Sequence, residues 1–304
     1  MEKTSPEGWD VNKGFWYAAA AYFTWGLFPI YWKWLKDVPA LQLLGHRIVW
    51  SFLFLAVLTL VLRQGAAFRT AAAKPRILLV YSVAAVFLAV NWLTYVWAVN
   101  AGYIVETSLG YFINPLLSML LGMVFLRERI RPFQWIPVAL AAAGVLYLTF
   151  AYGYFPWIGL TLALSFGIYG FIKKVAPLNS LHGVTLETTI LFLPALVFLL
   201  YSESAGGGAF LHSGAVPDLL MAGAGVVTAV PLLLFAAAAQ RITLFLVGVL
   251  QYIAPTMHFL IGVFVYHEPL TVERLVGFGL IWLALILFAV EGYVTHRAQA
   301  VVTE

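Results

Sequence analysis

The chain has 304 residues, of which 63% are hydrophobic and only 10% charged, with a mean hydropathy of +0.93. Soluble domains carry about 45–50% apolar and about 25% charged residues, so this composition cannot build a water-facing surface. The absence of cysteine excludes disulfides, iron–sulfur clusters and thiolate zinc sites, and the net charge of +4 fits the basic cytoplasmic loops of a membrane protein better than a nucleic-acid surface.

Met1 to Lys13 is polar, and the apolar run after it exceeds the roughly 7–15 residues of a signal h-region. A retained first helix is the expectation. Ten runs near the roughly 20 residues that cross a bilayer core predict spans at 14–35, 39–62, 77–100, 104–126, 133–151, 156–174, 183–201, 217–239, 243–266 and 271–293. Helices are required because lipid offers backbone groups no partner, and the runs lack the alternation of barrel strands. A turn-like aromatic stretch, Ala151 to Pro156, divides the fifth span from the sixth. Placing the N-terminus inside puts Lys3, Lys13, Arg63, Arg69, Lys74, Arg76, Arg127, Arg129, Arg131, Lys173, Lys174, Arg241 and Arg297 in inner segments. The outer segments then hold Lys33, Lys36 and Arg274, and the long loop Ser202 to Pro217 holds no Lys or Arg. This bias predicts an even number of spans with both termini in the cytoplasm, as tails 1–13 and 296–304.

The two halves are alike. Gly110–Glu128 (GYFINPLLSMLLGMVFLRE) lies against Leu250–Glu268 (LQYIAPTMHFLIGVFVYHE) at an offset of 140, pairing Pro115 with Pro255, Gly122 with Gly262 and Glu128 with Glu268. At an offset of 141, Trp25–Lys33 lies against Phe166–Lys174, pairing Gly26 with Gly167. Two repeats are expected, 14–151 and 152–295, of five spans each. An odd number of spans enters the second copy upside down. Inverted repeats are a common transporter plan, with a site near the midplane between the copies.

Ionisable and polar groups within spans are the candidates for function. Arg47 lies about eight residues into its span, roughly 12 Å deep at about 1.5 Å per residue. Either it faces a cavity, where it would attract a carboxylate on a solute, or orients its wall, or it is a buried partner for a helix end or carbonyls. Asn91 and Tyr95 share one helical face, open to a solute or to interhelical bonding. Tyr111 and Asn114 precede Pro115, while Gln251 and Tyr252 precede Pro255. A proline frees a carbonyl and bends its helix, so the two prolines are candidate bends or gates and their polar neighbours candidate path residues. His258 is a packed polar residue or a proton relay. Asn100 reads as a cap, Glu128 and Glu268 as interface anchors, and Glu106 and Glu187 as charges favouring helix N-termini. The sequence holds no P-loop, HExxH, GxSxG, EF-hand or dinucleotide fingerprint. Hence no catalytic residue, metal or cofactor is expected.

YFTWGLFPIYWKWL, LLGHRIVWSF, NWLTYVWAVN, ETSLGYFINPLLSMLLGMVFLRER and QYIAPTMHFLIGV together resemble the RarD family of EamA-type permeases, in the drug/metabolite transporter superfamily. The resemblance runs over about residues 14–297. It implies an all-α polytopic membrane protein of ten transmembrane helices in two inverted five-helix repeats around a central cavity. It also implies residence in a bacterial cytoplasmic membrane and export of amino acids, metabolites or drugs. The expected partners are a small-molecule solute, the lipid bilayer and a candidate coupling proton or ion, with no nucleic acid. The competing readings are a membrane-embedded enzyme, which needs converging acid–base or metal groups, and a receptor or assembly subunit, which needs large one-sided loops.

Overall fold

The computed structural model describes residues 8–302 except 102, 152, 154, 268 and 269; the side chains of 9, 100, 104–106 and 296–302 also lie outside the description. The expectations for Asn100, Glu106 and Glu268 therefore fall outside the described residues. Every regular element among those described is helical, as lipid requires of a spanning chain that does not close a barrel.

The first half comprises α1 (Gly8–Gly26), α2 (Phe28–Lys33), α3 (Ala40–Val61), the short α4 (Gly65–Ala72), α5 (Pro75–Asn100), α6 (Ile104–Phe125) and α7 (Trp135–Ala151). The second half comprises α8 (Trp157–Val175), α9 (Ser180–Ser204), α10 (Ala215–Ala239), α11 (Leu244–Gln251), α12 (Ile253–Leu260), a π-helical turn (Ile261–Val265) and α13 (Val272–Val302). Among the described residues nine helical segments are long and apolar enough to cross a bilayer, counting α11, α12 and the π turn as one. The tenth crossing is α1 with α2. It misses that threshold because Asp10, Asn12 and Lys13 occupy its first turns, yet α1 packs along α10, α11 and α12 as a member of the bundle. Helix starts are set locally. Pro75 opens α5 at a position where its missing N–H is no loss, and Asn179 and Thr243 cap α9 and α11 by accepting from the amides of His182 (2.9 Å) and Leu246 (3.2 Å). Outward faces stay apolar, with Val61, Phe150 and Phe264 about three-quarters exposed, which suits contact with lipid.

Exchanging the halves maps the packing onto itself. The α6–α8 contact is matched by α11 and α12 against α1, α5–α8 by α10–α1, and α3–α10 by α9–α5, while α3–α9, α6–α11 and α7–α13 each map onto themselves. Single residues follow. A Cβ on Gly26 would sit 2.6 Å from Met257 Sδ, and one on Gly167 would sit 2.9 Å from Leu117 Cδ2; positions 26 and 167 differ by 141, and 117 and 257 by 140. Leu199 lies on Gly45, with 2.9 Å to a built Cβ, and Thr59 faces Thr185 at 3.5 Å between hydroxyls; an offset of 140 relates the two pairs. Small residues at these seams let helix backbones approach closely. The protein is thus an all-α membrane bundle of two inverted five-helix repeats.

Two features differ from the sequence expectation. The span expected at 14–35 is divided at Leu27, and the span expected at 243–266 is divided at Tyr252. Their equivalents, α8 and α6, run unbroken, α6 through Pro115. The break in the ninth span precedes Pro255 by three residues, consistent with a ring that disrupts the preceding turn; the intact α6 shows that proline alone does not decide it.

Candidate functional site

A cavity of about 420 Å³ lies where the halves meet. Its wall includes Tyr22, Trp25, Phe28, Pro29 and Trp32 from the first crossing, Arg47 from α3, Asn91, Trp92 and Tyr95 from α5, and Tyr111, Phe112 and Asn114 from α6. The second half adds Phe166 from α8, Thr228 from α10 and Gln251 from α11, then Pro255 and His258 from α12. Trp32, Tyr266 and Arg274 carry the wall to the end expected outside.

Arg47 is the central charge. Its Nε donates to Thr228 Oγ1 at 3.1 Å, and its guanidinium sits 4.8 Å from the Trp32 ring, 5.0 Å from Trp92 and 5.9 Å from Phe28. These are cation–π distances. Asn91 is held in place: its Nδ2 donates to the Leu162 carbonyl (2.9 Å) and to Ser165 Oγ (3.1 Å). The Tyr95 and Tyr111 rings meet edge to face at 6.1 Å, and Tyr111 meets His258 in the same way at 5.4 Å. His258 Nε2 lies 3.1 Å from the Trp25 carbonyl, across the break between α1 and α2. Ser118 Oγ donates to Gln251 Oε1 (3.2 Å), joining α6 to α11. Asn114 is buried, and its Oδ1 has no hydrogen-bond partner among the described residues.

Of the seven path candidates read from the sequence, Arg47, Asn91, Tyr95, Tyr111, Asn114 and Gln251 come together on this wall. Tyr252 does not. It is 1% exposed within the cluster of Phe112, Phe278 and Ile281, and its hydroxyl donates to the Phe112 carbonyl at 3.5 Å. One residue on from Gln251 along a helix is a turn of roughly 100°, which carries Tyr252 into that packing. The prolines also part company: Pro255 lines the cavity, whereas the Pro115 carbonyl packs against Gly248. The rings of Phe28, Trp32 and Trp92 also line this wall and were not among those candidates.

Glu187 corrects a further expectation: it is not a helix-terminus charge but is paired with Lys173 at 2.8 Å, their side chains 0% and 1% exposed. Tyr169 donates to the other carboxylate oxygen at 3.0 Å. The antiparallel α8–α9 hairpin makes this pair across 14 residues of sequence. Tyr169 stacks on Phe235 at 6.0 Å, and Phe235 meets Tyr22 and Phe166 of the cavity wall, so an aromatic plug separates pair from cavity. Glu128 is likewise more than an anchor, accepting from the Leu244 and Phe245 amides (2.7 and 2.8 Å) at the start of α11. A more open depression of about 780 Å³ at that end includes Glu128, Lys174, Asn179 and Gln240. Its polar groups are already engaged, Lys174 with the Ile242 carbonyl and Gln240 with that of Leu178.

A cavity lined from both repeats, with polar groups held on helices, has the form that small-molecule sites of inverted-repeat transporters take. Comparison with known proteins agrees. The EamA-like transporter family matches the chain twice, over residues 12–150 and 156–290. An uncharacterized transporter, YojE, of Bacillus subtilis is 46% identical over 95% of this chain and 98% of its own length. Protein RarD of Streptomyces exfoliatus is 43% identical over 95% of this chain and 91% of its own. A Pseudomonas aeruginosa protein named chloramphenicol-sensitive protein RarD is 32% identical over 90% of this chain and 92% of its own. One crystal structure shares the fold, with a TM-score of 0.68 at 16% identity over 90% of this chain and 96% of that one. The chain belongs to the EamA-like transporter family, as a RarD-type permease, and is a multi-pass membrane transporter.

Proposed function

We propose that this protein is a secondary transporter that exports small polar or amphipathic solutes across a bacterial cytoplasmic membrane by alternating access. The observation that carries the reading is the cavity, about 420 Å³, walled by both inverted repeats and stopped by aromatic packing at one end. Pockets for small molecules run about 300–1,000 Å³. The charge bias of the loops supports an orientation with tails 1–13 and 296–304 in the cytoplasm and repeats at 14–151 and 152–295 between them. In that orientation the cavity faces outward.

The test is transport by the purified protein in liposomes offered a mixed pool of amino acids, metabolites and drugs, chloramphenicol included, read by mass spectrometry. A defined subset should cross in protein-containing vesicles only. Failure of every member to cross, with folded protein in the bilayer, would contradict the proposal.

A further inference from the structure

The interior of the cavity wall carries a cation, Arg47, and no Asp or Glu lies on that wall among the described residues. Arg274 sits at the mouth; Arg47 sits in the interior. Five N–H donors belong to a guanidinium. The Nε of Arg47 is bonded to Thr228, and its two terminal nitrogens make no hydrogen bond to any described residue. Arg47 is half-buried, and the rings of Trp32, Trp92 and Phe28 flank its charge without neutralising it. A charge partly withdrawn from water and lacking a counter-charge gains from a partner, so this site gains most from an anion that arrives with the solute.

Two further features narrow the ligand. A guanidinium fork matches a planar carboxylate in bidentate geometry, and a single interior cation with ring neighbours suits one negative charge rather than a dianion. Asn114 Oδ1, buried on the same wall without a partner, is an acceptor waiting for a donor. Buried polar atoms are rarely left unpaired, and a substrate amine or hydroxyl would satisfy this one. Much of the rest of the wall is aromatic or aliphatic.

We propose that Arg47 is the specificity-determining residue of the cavity and that the site takes small organic monocarboxylates with an apolar or aromatic body, those carrying a hydrogen-bond donor for Asn114 Oδ1 being bound best. The proposal rests on the transport reading for its biological meaning, but binding is measured without transport.

The probes are phenylacetate, the isosteric neutral phenylacetamide and the cation phenethylamine, titrated against purified protein in detergent by ligand-observed saturation-transfer NMR. A hydrogen-bonded ion pair of about 1.5–3 kcal/mol corresponds to about tenfold or more in affinity. Phenylacetate should bind at least about tenfold more tightly than phenylacetamide, and phenethylamine most weakly. Arg47→Gln should erase the preference while the amide binds as before, and Arg47→Lys should restore part of it. Equal binding of acid and amide to the wild type, tighter binding of the amine, or no binding by any probe at tens of millimolar would overturn the proposal; none of these depends on a variant folding. A protein that prefers phenylacetate yet moves nothing in liposomes would keep this inference and lose the transport reading.

Discussion

Arg47 and Glu187 occupy equivalent positions in the two repeats, 140 residues apart, on helices whose seam carries the Gly45–Leu199 and Thr59–Thr185 pairs related by the same offset. Their surroundings are opposite. Arg47 faces an open cavity with two aromatic rings within about 5 Å and no carboxylate partner. Glu187 is sealed, both oxygens engaged by Lys173 and Tyr169. At an offset of 141, Lys173 stands where the first repeat has Trp32, and Tyr169 where it has Phe28. One backbone plan therefore makes an open end and a locked end, and the difference rests on a few side chains. Inverted repeats differ between their two access states by such an exchange of roles.

The largest effect expected from this contrast is on stability. Lys173→Met should cost about 3–5 kcal/mol, because it strands a buried carboxylate, and Lys173→Met with Glu187→Leu should recover most of the loss. Thermal unfolding of the purified variants checks both. Neutrality of the single change would mean that water already reaches the pair and that the end is not sealed. Arg47→Gln should behave in the opposite way, leaving stability nearly unchanged and lowering transport of an accepted carboxylate solute about tenfold or more, in line with a lost charge-assisted hydrogen bond; liposome flux at matched protein content measures it.

The seams give the next test. Gly26→Leu and Gly167→Leu force a side chain against Met257 and Leu117 respectively. Each should destabilise by about 1–3 kcal/mol, and Met257→Ala or Leu117→Ala should relieve only its own partner. Damage at one seam without the other would break the equivalence of the repeats. Asn91→Leu should have the smallest effect on transport, a reduction of about two- to fivefold, because part of its role is to bond Leu162 and Ser165 rather than a solute. Equal flux in Asn91→Leu would assign it wholly to the seam.

Much of this was legible in the sequence because lipid is a severe solvent. Backbone groups must pair within helices and polar side chains must face inward, so apolar run length predicts the crossings, and Arg47, Asn91, Tyr111 and Gln251 could be picked out without coordinates. The Gly, Pro and Glu matches at 140 exposed the repeat, since those residues have stricter environments than leucine. What escaped depends on rotation about a helix and on tertiary contact. Tyr252 neighbours Gln251 in sequence but points into packing, and Trp32 reads as a membrane anchor until Arg47 is seen beside it. The Lys173–Glu187 pair needs the α8–α9 hairpin to exist. Its available signal was the offset itself, which sets Glu187 against the conspicuous Arg47.

Alternating access between the two ends is the central claim, and distance measurement tests it most directly. Because the chain has no cysteine, spin labels can be placed in pairs, at Lys36 and Val272 at the open end and at Lys13 and Val175 at the locked end, and read by electron–electron double resonance in liposomes. With the solutes that the protein moves, the outer distance should shorten in the same population in which the inner distance lengthens. Both distances remaining fixed while solute crosses the membrane would contradict the account.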